Sequence, residues 1–511
     1  MLEASFVISP FVESFSETIL FVSLVAPNAF SIARYGLRTV TALAVAIPLV
    51  WSLLALGFAI PLALRLPFNS HVAYVIAIAA SLAVLLYIRK RTTPIKRTQP
   101  LSIVLCSAVW SILSTQVVQK FNLIRVTPDS LMYLAHAKLL EAGNIAVLDS
   151  REFQKRGLGI STVHGLADLA GSDLFIALQT AVAPAAIILS FGATLYWAET
   201  NNAGRGDALF GAFAGALLLL STDRFLYAAL LINNHAFFGC GLLILHYGLT
   251  ASRQRRLPRL EAGVLAILFF GLNASRPEGP LITTFVAGFA LLSIGSGALK
   301  DQTFWVYFVA IAQGLHTILF LLFTRSPARN GLVKSPLGDP YLVALLFLPA
   351  LLSLTCILVT RRMEWVEKVQ NRVLVMMMLT LYGLFIIGIT WVSSSLTLVV
   401  ISTTIGNILQ NLLYSGGWRL EIFIFAMAFG LAGGSPNDPT KALRRLLLGL
   451  LFIVPGLAVL RDGVARVGPG DSFNRMMIHF VPLCCVLVGL CVAEISSIVR
   501  KVDRQNVHGV L

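Results

Sequence analysis

An aspartate near the start of the longest polar segment is the first residue whose setting could support catalysis. Asp129 follows Thr127 and Pro128, an order that predicts a helix with Thr127 as N-cap and Pro128 as first helical residue. Tyr133 and His136 follow four and seven residues after Asp129, on the same helix face. Asp129 could simply complement the helix dipole. It could instead act as a general base that takes a proton from a sugar hydroxyl.

Two arginines lie beside apolar segments and could bind an anion. Arg276 and Glu278 share one short turn; they could form an ordinary surface ion pair, or Arg276 could hold a phosphate with its planar fork. Arg475 and His479 are four residues apart where an apolar segment begins, so they share a helix face. Interfacial anchoring would explain this pair, and so would a clamp for an anionic head group.

Further polar residues stand where apolar segments begin. Arg419 follows a tryptophan, a pair that could anchor the chain at a membrane interface or line the entrance to a site. Asn234 and His235 open another apolar segment. His235 could be a second acid or base, a sugar contact or a structural histidine. The histidines lack the spacing of a zinc site, and there is no nucleotide-binding fingerprint or serine-hydrolase elbow.

The segments that must position these residues are almost entirely apolar. Hydrophobic residues make up 57% of the chain and charged residues 12%, against about 25% charged in a soluble domain. Apolar runs such as 101–118 and 341–359 approach the roughly 20 residues of a spanning helix, and in lipid they must be helical. The sequence predicts an all-α polytopic membrane protein, a single domain over 1–511 with about 14 spans. Residues 5–33 could add a span or lie along the interface.

Basic loops give the expected orientation. The net charge of +15 is explained by short basic loops, such as 89–97, 252–259 and 361–372, which are predicted to be cytoplasmic, so nucleic acid is not an expected partner. The polar segment 120–171 is then a long extracytoplasmic loop. The candidate residues all fall on that outer side, provided that residues 396–414 form a re-entrant or interfacial helix rather than a crossing.

This arrangement resembles the GT-C superfamily of membrane glycosyltransferases. Those proteins carry a long outer loop with amphipathic helices and an acidic residue near its start, and here segment 127–133 and loop 120–171 look like those elements. Residues 473–482 are similar to a late Arg-Tyr…Pro pattern of some members, with Met476 in place of the aromatic residue. The match departs from the commonest pattern because the loop follows the third or fourth span.

The resemblance implies an inverting glycosyltransferase that uses a sugar on a polyprenyl phosphate and a glycan, lipid or protein acceptor. Asp129 would be the catalytic base. The predicted substrate-binding residues are Tyr133, His136, Asn234, His235, Arg276, Glu278, Arg419, Arg475 and His479. No cofactor is expected, although a divalent ion could approach the outer carboxylates. The expected location is the bacterial inner membrane, with the site facing the periplasm or exterior.

Two other classes of protein remain open. A transporter or lipid flippase would also need many helices and a polar cavity, but such proteins often have two related halves and polar residues near the membrane midplane. An O-antigen ligase or polymerase also uses outer-face arginine and histidine residues, with lipid-diphosphate sugars, but places its key residues in a large late loop. Here the largest outer loop is early.

Overall fold

The computed structural model describes residues 10–34, 37–91, 100–149, 157–250, 258–276, 278–293, 302–325, 398–432, 439–462 and 472–508. Within these ranges the chain is almost entirely helical and forms no β-strand beyond an isolated bridge between Arg125 and Leu231. The all-α prediction is therefore confirmed for the described part of the chain.

The helices are numbered here in chain order. The first group is α1 (Pro10–Ala33), α2 (Thr39–Leu64), α3 (Ser70–Arg91), α4 (Pro100–Lys120), α5 (Pro128–Glu141), α6 (Gly159–His164), α7 (Ile176–Thr180), α8 (Val182–Thr200), α9 (Arg205–Ser221) and α10 (Asp223–Leu230). The second group is α11 (His235–Thr250), α12 (Pro258–Ser275), α13 (Gly279–Ser293), α14 (Gln302–Arg325), α15 (Leu398–Gln410), α16 (Glu421–Leu431), α17 (Pro439–Asp462), α18 (Ser472–Met477) and α19 (Val481–His508).

Several of these helices are long and apolar enough to cross a membrane. Six qualify among the described residues: Ser14–Ala33, Thr39–Leu64, Ser70–Lys90, Pro100–Lys120, Ile176–Thr200 and Phe473–Val502. Helices α9 and α10, bent by 60° at their junction, would together make a seventh. The chain is an integral membrane protein with multiple spans. The total of about 14 remains a prediction from length and charge, and the apolar run 341–359 lies outside the described residues.

Helix α4 shows why this fold belongs in lipid. Its buried face carries Ser107, Ser111 and Thr115, whereas large apolar residues such as Leu105 and Leu113 are exposed. In water this distribution would be inverted. In a bilayer, small polar residues let helices approach closely and the apolar side chains face lipid.

The N-terminal helix belongs to the bundle. Helix α1 packs against α2, α3 and α4, and its Thr18 hydroxyl lies 3.2 Å from that of Ser111. Asn28 donates a hydrogen bond to Ser81 on α3. Of the two alternatives for residues 5–33, the packing of α1 fits an additional span.

Residues 416–419, called the strap, and the C-terminal helices contact one another. Helix α16 begins just after that strap, and Arg444 of α17 donates a hydrogen bond to the carbonyl of Ala432 at 2.7 Å, so α17 starts near the far end of α16. Helix α17 then packs against α18, which leads into α19. Residues 398–410 form helix α15, followed by a π-helical turn at Asn411–Ser415. That this helix is re-entrant or interfacial, rather than a crossing, stays a prediction.

Helices α9 and α19 touch at glycines. A Cβ on Gly211 would overlap the carbonyl oxygen of Gly489, and a Cβ on Gly489 would lie 2.7 Å from the carbonyl oxygen of Gly211. Such contacts between small residues replace the hydrophobic effect as the source of helix association in lipid.

We expect Gly211→Ala to destabilise the protein, because the new methyl group must push the backbone of α19 away. Overpacking of this kind costs about 1–3 kcal/mol, measurable as a lower melting temperature in detergent. Gly192→Ala on α8 is the matched control, since a Cβ there would meet nothing within 4 Å. Equal stability of the two variants would contradict the contact between α9 and α19.

Candidate functional site

Helix α5 begins as its sequence predicts. Thr127 is the N-cap, and its hydroxyl accepts a hydrogen bond from the backbone N–H of Ser130 at 3.3 Å. Pro128 opens the helix, and Tyr133 and His136 are buried on one face. The predicted helix start and the shared face are confirmed. Asp129 therefore sits in the first turn, above a buried tyrosine and histidine.

Asp129 forms an ion pair with Arg475, which lies 346 residues further along the chain. The Nη1 atom of Arg475 donates to Oδ2 of Asp129 at 2.6 Å. The Asp129 side chain is 39% exposed and that of Arg475 50% exposed. The proposed base and a proposed phosphate-binding arginine are thus in direct contact at one end of the helices, where solutes or lipid head groups can reach both.

A second ion pair lies beneath the first and is buried. The Nε atom of Arg276 donates to Oε1 of Glu278 at 2.8 Å, and Arg276 also shares a hydrogen bond with Tyr133. Burial alone lowers the pKa of the Arg276 guanidinium, but Glu278 and Tyr133 outweigh burial, so this pKa lies above its ordinary value. Arg276 is therefore charged, and it ties the turn between α12 and α13 to α5.

Two histidines stack near this buried pair. Nδ1 of His235 lies 2.9 Å from Nε2 of His479, and the ring centroids are 5.1 Å apart. One of these two nitrogens must donate and the other accept, so one of them carries the proton of the hydrogen bond and the other is unprotonated. Nδ1 of His479 is buried without a hydrogen-bond partner among the described residues. The charges of Arg276 and Glu278 act on His479, which joins the pair to the rest of the cluster.

Asn234 connects the early loop to the turn that carries Arg276. Its Oδ1 accepts from the backbone N–H of Ile160 at 2.5 Å, and its Nδ2 donates to the carbonyl of Ser275 at 2.7 Å. Gly159 has to be a glycine here, because a Cβ would overlap the Asn234 side chain. Asn234 was predicted to bind substrate. In the structure its amide group holds two backbone segments together, and a contact with substrate stays a prediction.

The strap contacts Asn474 through Trp418 and Asp223 through Arg419. Trp418 is buried and its Nε1 donates to Oδ1 of Asn474, the neighbour of Arg475, while Nδ2 of Asn474 donates to the carbonyl of Gly416 at 3.1 Å. At the other side of the strap, Nη1 of Arg419 pairs with Oδ2 of Asp223 at 2.7 Å.

Three predicted arginines therefore each contact a different carboxylate. The pairs are Asp129–Arg475, Asp223–Arg419 and Glu278–Arg276. They differ in burial: Arg276 and Glu278 are 6% and 7% exposed at the side chain, whereas Arg419 and Asp223 are 72% and 58% exposed. A buried pair is held in place because breaking it leaves an uncompensated charge, while an exposed pair is worth little and opens easily.

The contacts above connect the predicted site residues, and His136 is buried on the same face of α5 as Tyr133. The sequence alone assigns no role to Asn474. It points to Trp418 only together with Arg419, as an interfacial anchor or the lining of an entrance, and to Asp223 only as one of the outer carboxylates that a divalent ion could approach. The contacts of these residues join segments that are far apart in the chain. The polar residues beside Trp418 and Arg475 are the local sequence signal for them. Within the described residues, no three His, Cys, Asp or Glu side chains converge closely enough to hold a metal ion.

We expect Asn234→Asp to lower stability. The donor to Ser275 would be replaced by an oxygen facing a carbonyl, which leaves a buried group unsatisfied at about 1–3 kcal/mol. The control is Asn202→Asp, at an exposed turn position where aspartate tolerates the left-handed backbone. Thermal unfolding in detergent measures both. If Asn234→Asp unfolds at the wild-type temperature, the amide group does not connect the two segments.

Three comparisons with known proteins found no match. No family model matches the chain, no curated protein matches it, and no solved structure matches it. What the site does is therefore inferred from its own residues.

Proposed function

We propose that this protein is an inverting membrane glycosyltransferase. It moves a sugar from a polyprenyl-phosphate carrier to a hydroxyl group of a glycan, lipid or protein acceptor. The short basic loops support an extracytoplasmic site, in keeping with a bacterial inner membrane protein. No nucleotide and no covalent intermediate are needed.

The contact between Asp129 and Arg475 carries the proposal. Transfer from a lipid phosphate needs a base for the acceptor hydroxyl and a cation for the phosphate that leaves. The two must stand on either side of one sugar. Asp129 and Arg475 supply these two chemical types, and both side chains are accessible. They touch at 2.6 Å, so they must move apart for a sugar to lie between them.

The reaction balances with these two residues. The acceptor oxygen forms the new bond to the anomeric carbon as its proton passes to the Asp129 carboxylate. The bond between that carbon and the phosphate oxygen breaks, and its electron pair stays on the phosphate. The guanidinium of Arg475 stabilises this growing charge. Attack opposite the leaving group inverts the anomeric carbon.

This chemistry requires the Asp129–Arg475 pair to open. A carboxylate that accepts a hydrogen bond from an arginine is a weaker base than a free one, because the bond favours its charged form. A phosphate that binds Arg475 competes with Asp129 for the same donors. Donor binding therefore frees the base, and the half-exposed position of both side chains keeps the cost of opening small.

The buried residues below the pair position it. Arg276 is occupied by Glu278 and Tyr133, so in this mechanism it fixes α5 one helical turn below Asp129. Direct contact between Arg276 and the phosphate would require one of those bonds to break. His235 and His479 lie beside the Arg276–Glu278 pair and are 5% and 0% exposed, so a contact between them and the sugar would require the site to open.

A lipid transporter or flippase is the second candidate, and one observation favours it. Glu17 is buried in α1; its carboxylate accepts from the Thr115 hydroxyl at 3.2 Å and from the backbone N–H of Ile176 at 3.0 Å. Carboxylates inside a membrane domain often mark a transport pathway. These two hydrogen bonds join α1 to α4 and α7, so a structural role also accounts for the buried Glu17. Carrier movement in proteoliposomes without a new glycosidic bond would favour the transporter.

We expect Asp129→Asn to abolish sugar transfer while leaving the protein folded and membrane-inserted, because the amide cannot take the hydroxyl proton. The measurement is product formation from a polyprenyl-phosphate sugar in proteoliposomes, with the anomeric configuration of the product determined. Asp173→Asn is the control, since Asp173 is 94% exposed and pairs only with Lys138 among the described residues. Full transfer by Asp129→Asn would show that the base lies elsewhere.

The same substitution should strengthen phosphate binding. Asparagine carries no charge to compete for Arg475, so Asp129→Asn is expected to bind geranyl phosphate several-fold more tightly than the wild type. Arg475→Gln should weaken binding by about tenfold or more, the loss of one charge-assisted hydrogen bond. Titration calorimetry in detergent measures both. Weaker binding by Asp129→Asn would mean that the pair does not open for phosphate.

A further inference from the structure

The strap lies against an arginine that has no role in the proposed reaction. A Cβ on Gly417 would lie 2.9 Å from Nη2 and 3.0 Å from Nε of Arg224, so the guanidinium rests directly on this glycine. Arg224 is only partly buried. Its neighbour Asp223 is taken by Arg419, and Arg224 forms no ion pair within the described residues.

Arg224 has no ion pair within the described residues, and the buried Glu421, two residues beyond the strap, adds a carboxylate to this region. Arg475 is balanced by Asp129 and Arg419 by Asp223, whereas Arg224 adds a positive charge without a carboxylate. A half-buried guanidinium that no carboxylate pairs with can attract an anion. Guanidinium groups suit phosphate because their planar fork makes two parallel hydrogen bonds.

Backbone strain marks the same strap. Gly417 has φ of +69° and Arg419 has φ of +44°. The left-handed conformation is ordinary for glycine but unfavourable for arginine, and strain of this kind concentrates at ligand clamps. The conformation turns Arg419 toward Asp223 and leaves Gly417 flat against Arg224. Trp418 fixes the strap to Asn474, next to Arg475.

We propose that Arg224 and Arg419 form a second anion subsite beside Arg475, which takes the second phosphate of a carrier diphosphate. This inference rests on the proposed function, in which Arg475 holds the phosphate bonded to the sugar, and it replaces the monophosphate of the carrier by a diphosphate. Arg224 lies against Gly417 of the strap, Arg419 belongs to the strap, and Trp418 binds Asn474, the chain neighbour of Arg475. A leaving group with two phosphates would use this connection to contact both sets of arginines. The exposed Arg419–Asp223 pair opens on binding, as a weak surface pair can.

The test compares geranyl phosphate with geranyl diphosphate, which share a lipid chain and differ by one phosphate. Affinities are measured by titration calorimetry on the full chain in detergent for the wild type, Arg224→Gln and Gly417→Ala. Gly417→Ala moves the Arg224 guanidinium without removing its charge. Two matched controls are Arg205→Gln, at the opposite end of α9 from the strap, and Gly406→Ala, where a Cβ would meet nothing within 4 Å.

The wild type is expected to bind the diphosphate about tenfold more tightly than the monophosphate, the gain from one additional charge-assisted contact. Arg224→Gln and Gly417→Ala should remove this preference and leave the affinity for the monophosphate unchanged, and the controls should retain it. The subsite is refuted if the wild type shows no preference, or if Arg224→Gln retains it. This binding experiment measures no sugar transfer. A failure of the glycosyltransferase proposal would therefore appear separately, as normal phosphate binding with no product in the proteoliposome assay.

Discussion

A buried charge at the end of a membrane helix bundle is costly unless an opposite charge neutralises it, and the ion pairs that result connect the segments of the site. Lipid and packed helices offer little solvation, so an unpaired charge there is expensive. The carboxylates Asp129, Asp223 and Glu278 each meet an arginine from a different part of the chain. These pairs draw α5, α10, the turn after α12, the strap and α18 to one place.

The depth of each pair decides what it can do. Arg276 and Glu278 are buried and add a tyrosine to their contacts, so they behave as a fixed part of the scaffold. Asp129 and Arg475 lie one layer further out and are half exposed. Reactive groups need this intermediate position, because a fully buried pair cannot open and a fully exposed one is not held in place.

Local features of this arrangement could be predicted from the sequence, whereas contacts between distant segments could not. The N-cap at Thr127, the first turn at Pro128 and the shared face of Tyr133 and His136 follow from rules that span a few residues. The all-α membrane class follows from apolar run length. The pairing of Asp129 with Arg475 and the anchoring of Trp418 by Asn474 depend on how helices pack, and no local pattern encodes that choice. Asn234 resembles a ligand-binding residue in the sequence because a polar side chain at the start of an apolar helix has the same signature whether it holds substrate or backbone.

The ion pair between Asp129, the proposed base, and Arg475, which would bind the leaving group, controls when the proposed reaction can begin. While Arg475 holds Asp129, the carboxylate is a poor base and the arginine is unavailable, so neither half of the site is active alone. A phosphate that displaces Asp129 prepares both at once. The acceptor hydroxyl then meets a competent base only when a donor is present, which limits futile proton abstraction and loss of the sugar to water. A second arginine at the strap strengthens this coupling, because a leaving group that contacts Arg224 as well as Arg475 gains more binding energy with which to open the pair.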